Sequence, residues 1–545
     1  MAPSPGDRLD SWKEIAAYLN RGVRTVRRWE EEEGLPVHRQ VHRTQGSVYA
    51  YKTEIEAWRQ SAARTPAPRS PAAPAATQGR TKSIVVLPFT NLSTDPENEY
   101  FADGLTGEVT ADLSKVRALR VTSRTSAMTF KATVKDVKTI AVELGVRYVV
   151  EGSVRRSARQ LRITAQLIDA STDTHLWAGK YDGTDEDVFS FQERLARVIV
   201  SALELRLSTD EDRRLAERPV ANVHAYECYL RARQEGWRWR KDAIDRAVQL
   251  LHEGLRIGGE SAGLHAALGL AHLQYREAGI DLGPRPLQDA DACAQRIFAL
   301  EPGSAAGLQL RGWIDYARGR VQDAVRDLKA ALEIDPDNAD TLGLLANCYL
   351  ISGRVSAARP LIAHLLAVDP LTPLNRCMPG FADILEGRFD TAIAPYRQML
   401  EMDPGNPMAR LFYVWVLILN QRGEMAREIV AAFPVEVREV VPARIAFFLA
   451  RALAGDAAGA HALVTPEIEG LATAGDLFPR FLAQGYALAG LHDRAMDWLE
   501  IAVRRGFINH PFLAQHDPFL RGLRTEPRFV ALMAATRERW DRFEA

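Results

Sequence analysis

At 545 residues the chain is too long for one ordinary hydrophobic core and is expected to hold several domains. With 47% hydrophobic and 26% charged residues its composition is that of folded domains, and a formal charge of -1 excludes a polybasic chain that coats nucleic acid or membrane along its whole length. Any contact with nucleic acid must therefore be local.

In chain order, SWKEIAAYL carries Trp12, Ile15, Ala16 and Leu19 on one helical face behind Asp10 or Ser11 as the N-cap. After a turn at Asn20-Arg21-Gly22, VRTVRRWEEEEG predicts a second helix with Val26 and Trp29 buried and Arg24, Arg27 and Arg28 outside. VHRQVHR and SVYAYK predict two short strands around Thr44-Gln45-Gly46, and TEIEAWRQ returns as a helix. The run Glu30 to Glu33 is read as the solvent end of the second helix rather than a metal site.

This order resembles the MerR/excisionase type of winged helix-turn-helix. That family's recognition helix has a threonine, an apolar residue, an arginine, two aromatics and a glutamate, followed shortly by Gly-Leu. Thr25, Val26, Arg27, Trp29, Glu30, Gly34 and Leu35 stand at matching places, with Arg28 in place of the first aromatic. The resemblance implies double-stranded DNA as a partner, with Thr25 and Arg27 on phosphate or base edges and the wing residues Arg39, His42 and Arg43 on the adjacent backbone. Guanidinium groups suit phosphate oxygens and the O6/N7 edge of guanine, so Arg24 and Arg28 are candidates for base readout. Two readings compete with it: the arginines form a solvated face paired with the glutamates, or the small domain docks protein. A reader of two half-sites often needs a second subunit, which leaves a homodimer open.

The amino-terminal domain is assigned to residues 1–63. Residues 64–81, RTPAPRSPAAPAATQGRT, cannot bury an apolar face and are read as a Pro/Ala-rich linker, with a reach on the order of 50 Å at about 3 Å per residue.

Residues 82–208 predict a small α/β domain with a mixed sheet. SIVVLPF is a short apolar strand, and Phe101, Leu105, Val109 and Leu113 have helical spacing. RYVVEGSV, QLRITAQLID and THLWAGKY read as consecutive strands. In the middle one Leu161, Ile163, Ala165 and Leu167 alternate with Arg162, Thr164 and Gln166, which predicts one wet face. A helix from Asp187 to about Leu207 closes the domain. Through SIVVLPFTNLSTDPENEYFADGLTGEV, VTSRTS, AVELGVRYVVEGSVRR and AQLIDASTDTHLWAGKYD it resembles the TolB-like amino-terminal domain, a module of bacterial signalling proteins; the resemblance implies docking of a partner, with small-ligand sensing second.

From residue 220 to 545 a repeat takes over. Pro302, Pro336, Pro370 and Pro404 share one 34-residue step, Ala324, Ala358, Ala392 and Ala426 share it, and so do Gly319, Gly353 and Gly387. Glycine turns the chain between two helices, alanine admits their close approach, and proline follows the end of the second helix. The pattern resembles the tetratricopeptide repeat, an all-α solenoid, and implies a protein or peptide ligand in the repeat groove. The tail DPFLRGLRTEPRF, Asp517 to Phe529, is read as a cap.

No catalytic or cofactor motif stands in the required context: there is no Walker A loop, GxGxxG turn, HExxH helix or GxSxG elbow, so neither an enzyme nor a cofactor is expected. Asp103, Glu108 and Asp112 are read as solvated helix acids, and His175 beside Trp177 as a strand side chain. Cys228, Cys293, Cys348 and Cys377 lack CxxC spacing, which suits buried free thiols in a reducing cytosol. With no basic leader and no long apolar run beyond Phe412 to Leu419, a cytoplasmic protein without a membrane span is expected. The reading of the whole is a DNA-binding transcriptional regulator whose α/β and repeat domains bind a protein or effector. The alternative is a signalling scaffold, without DNA binding, that assembles proteins through its repeats.

Overall fold

A computed structural model of the chain describes residues 7–19, 26, 30, 35–41, 46–56, 58, 82–157, 160–218, 220–236 and 238–545, by the backbone alone at 39–41, 46, 47 and 96. The described residues fall into two compact units, one within 1–73 and the other within 74–545.

In the first unit, strands β1 (Arg8–Leu9), β2 (His38–Val41) and β3 (Gly46–Tyr51) form an antiparallel sheet in the order β1-β3-β2. Helix Trp12–Leu19 packs on it through Ile15, Ala16 and Leu19, joined by Leu9, Val26, Leu35, Ala50 and Ile55 in one small core. Of the side chains expected on the buried faces, Trp12, Ile15, Ala16, Leu19 and Val26 thus meet, with Val26 fully buried and Trp12 at the margin, while Trp29 lies outside the described residues. The hairpin face carries stacked rings, His38 on Tyr49 with centroids 5.1 Å apart, and the Arg8 guanidinium lies 4.0 Å over Tyr49.

The second unit begins with a mixed sheet of β4 (Lys82–Val86), β5 (Thr90–Asn91), β6 (Leu119–Val121), β7 (Tyr148–Ser157), β8 (Gln160–Asp169) and β9 (Thr174–Thr184). The order is β6-β4-β7-β8-β9, with β5 beside β7; β6, β4 and β7 are parallel, whereas β7, β8 and β9 are antiparallel. Parallel neighbours need crossovers, and these cover opposite faces. Helix Glu99–Ser114 and helix Val188–Ala202 lie over Ile84, Val86 and Val150, while helices Arg124–Met128 and Val137–Leu144 lie over Val85, Leu87 and Val149. A strand covered on both faces has no wet side, which is why SIVVLPF is apolar throughout. On β8 the predicted alternation holds: Leu161, Ile163, Ala165 and Leu167 are buried while Arg162 and Thr164 are exposed.

Helices then pack in successive pairs from Val223 to His461, and after helix Pro466–Ala474 one more pair is formed by helices Leu477–Leu488 and His492–Arg504. Ala324, Ala358, Ala392 and Ala426 are fully buried, and Gly319, Gly353 and Gly387 turn between paired helices at φ of 76, 72 and 79°. Second helices end at Ile334, Val368 and Met402, each two residues before its proline. The 34-residue registers therefore mark what they were expected to mark.

No gap in the core separates sheet from repeats. Tyr226 and Leu230 of helix Val223–Gly236 share one hydrophobic cluster with Leu105 and Val109 of the crossover helix, and that cluster continues to Ile297 and Ile314. A second seam is polar. Asp369, at the end of helix Val355–Val368, accepts hydrogen bonds from the hydroxyls of Ser123 (2.5 Å) and Ser126 (2.6 Å), and Ser123 N donates to Val368 O at 2.7 Å. The VTSRTS segment is thus an anchor onto the repeat that ends at Asp369.

Candidate interaction surfaces

Of the residues expected to meet DNA, Arg24, Thr25, Arg27, Arg28, His42 and Arg43 lie outside the described residues. Arg39 is placed by its backbone alone, on β2 opposite Val48. The β2–β3 pairing of the expected wing is present.

The three acids of helix Glu99–Ser114 are not solvated, which corrects the sequence reading. Asp103 and Glu108 are each 7% exposed, and each acid has its own cation: Lys131 Nζ at 2.6 Å from Asp103, Arg233 Nη1 at 2.7 Å from Glu108, and Lys115 Nζ at 2.8 Å from Asp112. Burial pushes the Glu108 and Asp112 carboxyls up, and the paired cations oppose it. Of the three, Glu108 serves the seam with helix Val223–Gly236, which supplies Arg233 from the far side. His175 is an exposed side chain on β9, as read from the sequence. The four cysteines are free, and burial pushes the Cys293 and Cys377 thiols up to about 12, far from thiolate reactivity.

The first helices of successive repeats bring Trp313, Asn347, Phe381 and Trp415 to one face at the 34-residue stride. Much of that face is covered by the chain's own carboxy-terminal segment. Trp415 Nε1 donates to Gln484 Oε1 at 2.8 Å, Arg480 lies 5.3 Å over Phe381, and Asn347 reaches Asp476 through Tyr316, whose hydroxyl donates to the Asp476 carboxylate at 2.7 Å. The turn glycines meet the same segment: a Cβ on Gly353 would lie 2.6 Å from Trp540 Nε1, one on Gly387 2.8 Å from His516 Nδ1, and one on Gly319 3.3 Å from Arg504 O. Beyond the cap read from the sequence, helix Pro527–Arg542 returns to earlier repeats, where Arg354 bonds Trp540 O and Phe543 O. At the start of the row Glu277, which accepts a hydrogen bond from the Trp313 indole, and the neighbouring Asp340 have exposed side chains. Enclosure by the surrounding helices pushes Glu277 up to about 7, with Asp340 adding to the shift. Neither acid was singled out from the sequence; extending the stride from Phe381 back through Trp313 would have led to this face.

A second surface lies on the sheet. Where β7, β8 and β9 run past the helices that cover Val149, they expose Glu151, Ser153, Thr164, Gln166 and Lys180 as the floor of an open cleft of about 740 Å3. Phe130 and Ile140 line one side as buried core, with Lys135 over the Phe130 ring. Among the described residues no group of three or more His, Cys, Asp or Glu side chains is placed to hold a metal ion, and no helix is long and apolar enough to cross a membrane.

Residues 315–374 and 383–440 match the tetratricopeptide-repeat family, so the carboxy-terminal part carries tetratricopeptide repeats. Among curated proteins, one from Rhizobium meliloti (strain 1021) named "Putative adenylate cyclase 3" is 42% identical over 211 residues, which are 39% of this chain and 35% of that protein. The chain therefore spans about a third of the length of this relative. Among solved structures, a thermophilic tetratricopeptide-repeat protein of Thermus thermophilus is 19% identical, covering 36% of this chain and 99% of its own at a TM-score of 0.30. TolB from Acinetobacter baumannii is 20% identical, covering 23% of this chain and 28% of its own at a TM-score of 0.19.

Proposed function

We propose that the chain is an interaction scaffold that takes a protein partner on its repeats. The observation that carries this reading is that the face bearing Trp313, Glu277 and Asp340 stays open where the later part of the row is occupied by the chain itself. A partner segment with a basic side chain fits there, between an indole ring and two carboxylates. The test is site-specific photo-crosslinking in cells from position 313, with Ala358 as the buried control. A discrete intermolecular adduct, lost on Asp340→Lys, supports the reading; adducts only within the chain overturn it.

A second reading keeps DNA binding by the amino-terminal unit, favoured by the β2–β3 hairpin beside a helix packed on a common core. Its surface is Arg24, Thr25, Arg27 and Arg28 with Arg39, His42 and Arg43. The test is a salt titration of the full chain against selected and scrambled duplexes. Loss of one phosphate-contacting arginine lowers the salt slope by about one. If Arg27→Ala and Arg43→Ala leave affinity and slope unchanged, this surface does not read DNA.

The absence of catalysis is also part of the proposal, and the name of the Rhizobium relative supplies its test. The full chain with ATP and Mg2+ or Mn2+ is expected to form no cyclic AMP. Turnover that survives purification would overturn it.

A further inference from the structure

We propose that Arg276, Arg504 and Arg505, gathered where helices Pro466–Ala474 and His492–Arg504 meet the early repeats, form a site for the phosphate group of a small phosphorylated molecule. The inference is independent of whether the repeats hold a protein partner.

The site is built from distant segments. Thr473, Ile501, Arg504 and Arg505 line a cavity of about 310 Å3, and the backbone of Arg505 lies against the Gly319 turn, where a Cβ would meet Arg505 O at 3.3 Å. Arg276, in the last turn of helix Ala262–Glu277, stands at the same seam. Its Nη1 donates to Leu282 O at 3.0 Å and its Nη2 to Ala474 O at 2.8 Å, next in the chain to the lining Thr473. The Thr473 hydroxyl donates to Gly470 O at 2.8 Å, so its proton is spent within the chain.

Charge selects the ligand. Elsewhere on the repeats guanidiniums meet carboxylates, as Arg311 meets Asp327 at 2.9 Å and Arg359 meets Asp383 at 2.8 Å. Here the cations go without. The Arg505 guanidinium has no acceptor among the described residues, and Arg504 reaches Glu500 at 3.9 Å, a carboxylate that Arg528 holds at 2.7 Å. Burial and a neighbouring cation hold both Arg276 and Arg505 below the ordinary guanidinium range, Arg505 acting on Arg276 and Arg504 on Arg505. Asp281 opposes the shift at Arg276, but its carboxylate already accepts from Gly283 N at 2.8 Å. The carbonyl end of helix His492–Arg504 favours cations, yet with about half a negative charge it offsets only part of two guanidiniums. An anion in the cavity relieves a repulsion that the fold leaves standing.

A phosphate monoester suits this cluster better than a carboxylate does. It carries about two negative charges at pH 7 and three free oxygens for the planar forks of several arginines, whereas a carboxylate brings one charge and two oxygens. A volume of about 310 Å3 stands at the lower end of the roughly 300–1,000 Å3 range of small-molecule sites, room for a phosphate and a short carbon body.

The test is isothermal titration of the full chain, at constant ionic strength, with glycerol 3-phosphate and glucose 6-phosphate against glycerol, glucose and succinate. At least one ester is expected to bind, to raise the melting temperature and to slow hydrogen exchange in 470–476 and 501–506, with succinate about tenfold weaker or more. Arg505→Gln is expected to weaken the ester about tenfold or more, through loss of a charge-assisted pair, and to leave the unliganded melting temperature unchanged or higher. A merely structural Arg505 would lower that temperature instead. Should this variant fail to fold, the exposed Arg504→Gln is expected to weaken the ester about threefold. No binding of either ester, equal binding of succinate, affinity undiminished in both variants, or protection confined to other segments overturns the proposal. Undiminished affinity with protection in residues 1–63 would place the phosphate on the amino-terminal arginines, and tighter binding of a phosphoserine peptide than of either ester would overturn the choice of a small molecule.

Discussion

The middle repeats and the carboxy-terminal segment are both helical, yet they are held in different ways. Between Ala305 and Met402 each helix is buried by its neighbours in sequence, and the stride of alanines and glycines repeats because the same local contact repeats. The carboxy-terminal segment is held by residues far away in the chain: Asn509 Nδ2 donates to Leu350 O at 3.0 Å, Arg354 bonds Trp540 O, and Gln322 Nε2 donates to Glu544 O at 3.1 Å. The lesson is that periodicity encodes stacking, whereas closure of the array rests on single residues that belong to no repeat. The join between sheet and repeats is of the second kind, made by Arg233 with Glu108 and by Asp369 with two serines.

The largest expected effect breaks a distant contact. Arg233→Ala leaves Glu108 buried without its cation and is expected to cost about 3 kcal/mol in chemical denaturation, in the lower part of the range for broken buried pairs because Arg233 is partly open to solvent. An unchanged denaturation midpoint would mean that the seam is not held by this pair. The matching test on the local side is Ala358→Trp, which overfills a fully buried position between paired helices and is expected to cost about 2 kcal/mol. Unchanged thermal stability would break the register.

A finer test sets two glycines against each other. Gly353 and Gly490 have nearly the same left-handed φ, 72 and 73°, but only at Gly353 does an added Cβ meet the carboxy-terminal segment; at Gly490 nothing lies within 4 Å. Gly490→Ala is expected to cost about 1 kcal/mol of backbone strain, and Gly353→Ala more, with faster proteolysis after residue 505 only in the latter. Equal losses and equal cleavage would mean that closure adds nothing at this turn.

The smallest effect is one of pH. Glu277 is held above its ordinary value, so the folded state binds its proton more tightly than the unfolded state does. Its contribution is present below the unfolded value near 4.5 and is lost as pH rises through about 7. Glu277→Gln is expected to flatten that part of the stability profile and to raise stability at pH 8 by no more than about 1 kcal/mol, because the side chain is open to solvent. A profile identical to that of the parent protein would remove Glu277 from the account.

Sequence alone determined the elements whose cause is local: an apolar strand within SIVVLPF, the alternating strand β8, the turn glycines and the buried alanines of the repeats. Each follows from a period of two, of 3.6 or of 34 residues, and such periods are written along the chain. It misjudged Asp103, Glu108 and Asp112, because the spacing of acids on one helix does not reveal that Lys131 will meet Asp103, that Arg233 of another helix will meet Glu108, or that packing will half-bury Asp112 with Lys115. It could not show that Asp476, Gln484 and Trp540 close the array over earlier repeats, nor that three strands outrun their helical cover and leave a cleft. Those features depend on which distant segments meet, and only the tertiary structure decides that, since a single long-range contact leaves no periodic trace in the residues that make it.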